Sequence, residues 1–241
     1  MHAKPEISLV IPAYNEETNI PVLFGEICNA LEALEKKWEV VFVDDGSRDK
    51  TLCAIKQLAK DHRQVSYLAF AQNYGQSAAF SAGFQAAAGD VIVTLDADLQ
   101  NDPADIPAML ELYALGPYDM VVGWRAKRQD SLAKRQASKF ANAVRNYVSQ
   151  ETIKDTGCSL KAMRSDMAKK IPMFTGMHRF LPTLMKLQGA SVAEMKVNHR
   201  PRKHGVSKYG VLDRALTTWY DLLAVRWMKL RYIRYQIKEH N

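Results

Sequence analysis

Asp96-Ala97-Asp98-Leu99-Gln100 sets oxygen-bearing side chains at every second position, directly after the apolar and β-branched run Val91-Ile92-Val93-Thr94-Leu95. Side chains alternate along a strand, so a strand carried through to Gln100 puts Asp96, Asp98 and Gln100 on one face. Two carboxylates brought together in this way need a cation between them or a hydrogen-bond donor each. Oxygen ligands suit a hard divalent ion, and Mg²⁺ held by one or two carboxylates completes its shell with water and phosphate. The competing use of these residues is to cap the next helix. Asp102 already supplies that cap, with Pro103 in the first helical position. The spacing therefore points to metal-assisted chemistry on a phosphate.

Holding such a cluster takes a buried strand and neighbours that end at the same level. Ile7 to Ile11 is a short strand stopped by Pro12, and Tyr14-Asn15-Glu16-Glu17 leads into an amphipathic helix with Ile20, Leu23, Phe24, Ile27, Leu31 and Leu34 at helical spacing. Trp38 to Val43 is a second strand ending in Asp44-Asp45-Gly46-Ser47, followed by a helix to about Lys60 and a third strand, Val65 to Phe70. Gln72-Asn73-Tyr74-Gly75-Gln76 opens a helix that reaches Ala88. Beyond the Val91–Leu95 strand come a helix to about Leu115, a strand at Tyr118–Val122, a basic stretch from Lys127 to Gln150, and a turn into a strand over Asp155–Met163. A helix at Met177–Leu187 and a last strand at Val192–Val197 complete the pattern. Strands alternating with helices through short connections predict an α/β fold with a mostly parallel sheet and right-handed crossovers. In such sheets ligands bind beyond the carboxyl ends of the strands. Tyr14 to Glu16, Asp44-Asp45 and Asp96 to Gln100 all fall there.

Composition narrows the function classes. The 241 residues are 47% hydrophobic and 24% charged, enough for one large domain with a tail. We divide the chain into a catalytic domain, 1–210, and a basic amphipathic helical tail, 211–241. No apolar run approaches the ~18 to 20 residues that span a bilayer. Met1 to Pro5 carries no signal-peptide core. Cys28, Cys53 and Cys158 are odd in number and lack metal spacing, which predicts buried thiols in a reducing compartment. The net charge of +7 is uneven: Trp124–Arg145 and His199–Asn241 are strongly basic, and the rest of the chain is acidic on balance. Basic segments suit phosphates. A dinucleotide-binding dehydrogenase would need Gly-x-Gly-x-x-Gly after the first strand, where Pro12-Ala13-Tyr14-Asn15-Glu16 has no glycine. A nucleic-acid-binding module would not need the acidic rim.

Val10-Ile11-Pro12-Ala13-Tyr14-Asn15-Glu16, Val43-Asp44-Asp45-Gly46-Ser47, Asp96-Ala97-Asp98-Leu99-Gln100 and Gly205-Val206-Ser207-Lys208-Tyr209, in this order, resemble the inverting GT-A glycosyltransferases of family 2. Within these the sequence is most similar to the polyprenyl-phosphate and dolichyl-phosphate glycosyltransferases, over roughly residues 6 to 225. The resemblance implies a nucleotide-sugar donor, UDP- or GDP-linked, a polyprenyl phosphate acceptor, and Mg²⁺ or Mn²⁺. It implies that Pro12, Tyr14 and Glu16 line the nucleotide pocket, with Glu16 on the ribose and Tyr14 against the base, and that Asp44 accepts a hydrogen bond from the base. Asp45, Gly75 and Ala97 belong to the same nucleotide-sugar pocket, and Asp96 contacts nucleotide or sugar. Asp98 and Gln100 hold the ion. Arg202 and Lys208 neutralise phosphate, and Ser207 donates to one. Arg125, Arg128 and Arg135 face the lipid phosphate. Asp155 is the candidate base or positioning group, although an acceptor phosphate is already ionised near neutral pH and needs no base.

The sequence departs from this pattern at Gln76, where many such enzymes carry a basic residue after Asn-x-Gly. Many also continue into transmembrane helices. Here Leu212, Leu216, Trp219, Leu223, Trp227 and Leu230 form an apolar stripe with Arg and Lys around it. That stripe predicts contact with the cytoplasmic face of a membrane or with a small membrane protein. The rival within the family is transfer to a saccharide hydroxyl, as in polysaccharide or glycolipid synthesis.

Overall fold

A computed structural model describes residues 4–125, 153–201, 211–233 and 239. Its centre is one seven-stranded sheet in the order β3-β2-β1-β4-β6-β5-β7. The strands are β1 (Ile7–Ala13), β2 (Trp38–Asp44), β3 (Val65–Ala69), β4 (Val91–Thr94), β5 (Met120–Trp124), β6 (Lys161–Arg164) and β7 (Val192–Lys196). All neighbouring pairs run parallel except those made by β6, which is antiparallel to both β4 and β5. The α/β, mostly parallel architecture expected from the sequence is thus present, with one strand reversed in its middle.

Period-two burial explains how the sheet is covered on both faces. From β1, Ile7, Leu9 and Ile11 enter one core, where they meet Ile20, Leu23, Phe24 and Ile27 of α1 (Asn19–Leu31), Ile55 of α2 (Thr51–Asp61) and Met109 of α4 (Ile106–Leu115). Val10 between them enters the opposite core, with Phe80 and Phe84 of α3 (Gln76–Ala86) and Met167 of α5 (Ser165–Ala168). Leu181 and Leu184 of α6 (Leu181–Leu187) join that second core. Each fully buried Leu, Ile or Phe contributes about 1.5–3 kcal/mol over leaving it exposed, so both faces are strongly held.

Some sequence expectations need correction. The central strand ends at Thr94 and does not reach Gln100, because Asp96–Gln100 turns and Leu99 takes a left-handed φ of 60°. The helix expected over Met177–Leu187 is a 3₁₀ turn, Met177–Phe180, followed by α6, whose Pro182 sits in its first turn. Asp102 does cap, accepting from the Ala104 N–H at 3.1 Å, but its first turn is 3₁₀ before α4 begins. Cys158 is buried as expected, whereas Cys53 is exposed.

The last helix, α7 (Val211–Arg231), rests on the second core through Leu222 and Val225. Trp219, Leu223, Trp227 and Leu230 point away from it and are exposed, Trp227 at 64%. The predicted stripe is therefore the outward face, as far as its side chains are described. Leu212 and Leu216 lie outside that description. No helix among the described residues is long and apolar enough to cross a membrane.

Candidate functional site

The loops leaving β1 and β2 are joined by their own polar groups. Ala13 pairs with Asp44 in the sheet, so the two strands end level. Beyond them the Asn15 N–H donates to Ser47 Oγ (3.0 Å), the Arg48 N–H to Asn15 Oδ1 (2.8 Å) and the Glu16 N–H to Thr51 Oγ1 (2.7 Å). Asn15 adopts φ 55°, a conformation that Asn tolerates well. Glu16 accepts from Asn19 Nδ2 at 2.6 Å, which aligns its carboxylate with the start of α1. Pro12 is buried, and Tyr14 and Glu16 are half-buried, on this rim.

Asp44 and Asp45 are neighbours with different duties. Asp45 is buried, and its carboxylate accepts from the N–H of Tyr74 (2.7 Å), the N–H of Gly75 (2.9 Å) and Asn73 Nδ2 (2.9 Å). It therefore fastens the turn that opens α3. Gly46, at φ 69°, lets that turn lie directly on it: a Cβ there would sit 2.3 Å from the Gln72 carbonyl carbon. Burial pushes the Asp45 carboxyl up, against these N–H donors. Asp44 is 2% exposed, and its Oδ1 has no hydrogen-bond partner among the described residues. A buried carboxylate oxygen without a donor is costly unless something else supplies one.

Asp96 and Asp98 follow β4, whose Thr94 pairs with Val10 of β1 on one side and Lys161 of β6 on the other. Asp98 is buried and accepts from the Gln100 N–H at 3.1 Å. Asp96 keeps some contact with solvent, but its carboxyl group is enclosed. Gln76 Nε2 donates to it at 2.6 Å. Burial and the Asp98 charge push its pKa up to about 6, although Ser159, Lys161 and Arg125 pull the other way. That conflict of like charges is what a divalent cation relieves. Among the described residues no group of three His, Cys, Asp or Glu side chains converges to enclose an ion. Asp96, Asp98 and Gln100 carry only oxygen ligands for a hard ion, the type that completes its shell with diphosphate oxygens and water.

The other side of Asp96 is built by β6 and the turn before it. Arg125, leaving β5, donates to Asp155 through Nε (2.7 Å) and Nη2 (3.0 Å), a bidentate pair with side chains only 16% and 8% exposed. The pairing ties Arg125 to protein, and it suits Asp155 to positioning more than to taking a proton. Lys161, 2% exposed, donates to the Cys158 carbonyl, and burial pushes its amine pKa down. Ser159 Oγ donates to Asn101 Oδ1 at 2.6 Å.

Pro12, Tyr14, Glu16, Asp44, Asp45 and Gly75 are thus gathered at one rim, with Asp96, Ala97, Asp98 and Gln100 beside them and the Arg125–Asp155 pair on the far side. Arg128, Arg135, Arg202, Ser207 and Lys208 lie outside the described residues. Gln76, Lys161 and His199 escaped the sequence reading. An Asn101–His199 bridge and the Arg200 N–H on the Gln100 carbonyl (2.8 Å) bring His199 to the acidic loop. Only Gln76 gave a signal in the sequence, as a departure from the basic residue expected there.

A parallel sheet with acidic clusters at its carboxyl ends and one reversed strand beside them is the GT-A arrangement of nucleotide-sugar transferases. The chain belongs to glycosyl transferase family 2, which residues 8–172 match. It is 38% identical over 231 residues to dodecaprenyl-phosphate galacturonate synthase of Rhizobium johnstonii, covering 94% of this chain and 68% of that protein. It is 39% identical over 218 residues to undecaprenyl-phosphate 4-deoxy-4-formamido-L-arabinose transferase of Pectobacterium carotovorum, covering 90% and 66%. The chain therefore spans about two thirds of the length of these relatives. Glucosyl-3-phosphoglycerate synthase of Mycobacterium tuberculosis, solved with Mn²⁺, UDP and glucosyl-3-phosphoglycerate, superposes with a TM-score of 0.70 over 95% of this chain and 81% of its own, at 17% identity. A Pyrobaculum calidifontis mannosyltransferase in complex with GDP-mannose and Mn²⁺ gives 0.64 over 97% and 66%, at 19% identity. At these identities the structural likeness establishes the fold.

Proposed function

We propose that this chain transfers a sugar, with inversion, from a nucleoside-diphosphate sugar to a polyprenyl phosphate at the cytoplasmic surface of a membrane. The observation that carries the donor side is the unpartnered, buried Asp44 Oδ1 on the same rim as Asp96 and Asp98. It is an acceptor that a ligand N–H, such as that of a nucleobase, would satisfy, and β1 separates its strand from the one that leads to the acidic pair. The names of the two bacterial relatives support the acceptor class. Tyr14 packs on the base, Glu16 takes the ribose hydroxyls, and Asp96, steered by Gln76, holds a sugar hydroxyl. Asp98 and Gln100, with Asp96 beside them, are the residues that would hold Mg²⁺ or Mn²⁺. When bound, that ion neutralises the charge that develops on the departing diphosphate. Arg202 and Lys208 contribute to the same neutralisation, and Arg128, Arg135 and Ser207 receive the acceptor phosphate.

An ionised acceptor phosphate attacks without a general base. This agrees with Asp155 being engaged by Arg125, and it weighs against a saccharide hydroxyl as acceptor, which would need a base. The exposed Trp219, Leu223, Trp227 and Leu230 of α7, next to Arg226 and Lys229, give the chain a face suited to an anionic bilayer surface.

The test is a transfer assay on anionic vesicles with a panel of UDP- and GDP-sugars, offering undecaprenyl phosphate and free oligosaccharides in parallel. Transfer to the lipid phosphate with loss of activity on chelation supports the proposal. Transfer only to the oligosaccharide overturns it.

A further inference from the structure

The first turn of α3 is fixed from three directions. Asp45 holds the turn before it, and Gln76 reaches Asp96 at 2.6 Å. Ser77, only 5% exposed, meets His178 of the Met177–Phe180 turn. The His178 main-chain N–H donates to Ser77 Oγ at 3.3 Å, and Ser77 Oγ lies 2.8 Å from His178 Nδ1. The hydroxyl proton has no other acceptor among the described residues, so it is given to Nδ1, and the ring carries its own proton on Nε2. Burial, followed by the nearby Arg179 and Lys161 charges, pushes the imidazole pKa down to about 3. The ring is therefore neutral at physiological pH and keeps the Nδ1 lone pair that the contact needs. The turn itself is anchored elsewhere: Gly176, at φ 85°, packs so closely on Asp221 of α7 that a Cβ would fall 2.1 Å from its Oδ2.

We infer that His178 is a positioning residue of the transfer reaction: through Ser77 it sets the first turn of α3, so that the adjacent Gln76 keeps the Asp96 carboxylate turned toward the donor sugar. This rests on the reading of Asp96 as a donor contact. His178 touches no substrate. It acts on a bond two side chains away, and its effect belongs in the chemical step, because the loops that hold the nucleotide are zipped together without it.

Four variants decide the matter: Ser77→Ala, His178→Phe, His178→Asn and the double variant Ser77→Ala/His178→Phe. The first two lower kcat about tenfold with KM for the nucleotide sugar within about twofold. The double variant is no worse than the weaker single one, and His178→Asn, whose Oδ1 can accept from Ser77, recovers most of the loss. Ser77→Ala removes a single oxygen and keeps the test alive where His178→Phe unfolds. A second readout needs no acceptor. The Gln76 side-chain amide, assigned by its loss in Gln76→Ala, is slow to exchange in wild-type NMR spectra and exchanges faster in Ser77→Ala. Wild-type kcat in Ser77→Ala, an additive double variant, or an unmoved Gln76 amide overturns the inference. Should the enzyme use no lipid phosphate at all, the amide readout still decides, so failure of the functional proposal and of this inference are seen separately.

Discussion

On one flank of Asp96, the β1, β2 and α3 loops hold the site with hydrogen bonds from uncharged donors: main-chain N–H groups give to Ser47 Oγ, Thr51 Oγ1 and the Asp45 carboxylate, and the Asn73 amide gives to Asp45. On the other flank, where β5 and β6 meet, the same task falls to buried charges, Arg125 with Asp155 and Lys161 against the Cys158 carbonyl. Main-chain donors are cheap to bury once paired and hardly respond to pH or salt. Buried ions depend on each other, and each becomes a liability when its partner is removed. The flank proposed to hold the nucleotide is thus tied mainly by main-chain donors, and the opposite flank is organised by buried charges that neutralise one another or bind a carbonyl.

Asp98 sits on the boundary, and the largest effect is expected there. Asp98→Ala should cut turnover by about 1,000-fold, the upper end for one lost electrostatic contact, while stability changes little because a like charge beside Asp96 disappears. Wild-type turnover that survives chelation in this variant would break the metal assignment. Next, Asp155→Ala leaves Arg125 buried and unpaired and should cost about 3–5 kcal/mol in urea unfolding. Arg125→Leu/Asp155→Leu should recover much of that cost in stability and none in activity; a double variant as unstable as Asp155→Ala would show that charge is not what organises this flank. Asp45→Asn, by contrast, keeps one acceptor oxygen but turns an amide NH2 toward a donor that the second oxygen had served, and should cost about 1–3 kcal/mol.

The acidic pair also gives a pH signature. The folded-state pKa of Asp96 lies above its unfolded value, so between about pH 4 and pH 6 the folded state retains a proton that the unfolded chain has released. Stability from this group is full below that window and is lost as pH rises through it in the ligand-free protein. Asp96→Asn should remove the fall, so the Tm difference between variant and wild type widens from pH 4 to pH 6. A constant difference would place the Asp96 pKa in the ordinary range. The smallest effect belongs to Trp227→Ala: within about 0.5 kcal/mol on stability, as for an exposed side chain, with a clear loss of flotation on anionic vesicles.

The two flanks were unequally legible in the sequence. Strand periodicity followed by acidic residues exposed Tyr14–Glu16, Asp44-Asp45 and Asp96–Gln100, because those signals are local. The end of β4 was legible to within one residue, but the turn of Asp96–Gln100 was not, because the left-handed Leu99 leaves no mark on the alternation of residue types. Asp45 looked like a ligand contact, since its partners Tyr74 and Gly75 arrive from another loop. Lys161 reads as an ordinary surface lysine until β6 is inserted beside Thr94. The Ser77–His178 contact joins residues 101 positions apart, a separation over which residue types alone carry no pairing information.

The reversed strand also sets an order of construction. On a chain emerging from the ribosome, β1 to β4 are complete long before Lys161–Arg164 appears, and until then β4 carries an open edge and Asp96 remains in water. The enclosure of Asp96 is therefore among the last things the nascent protein acquires. A chain stopped before Arg164 would keep the nucleotide loops yet display an unpaired apolar strand, the kind of edge that recruits other chains into aggregates.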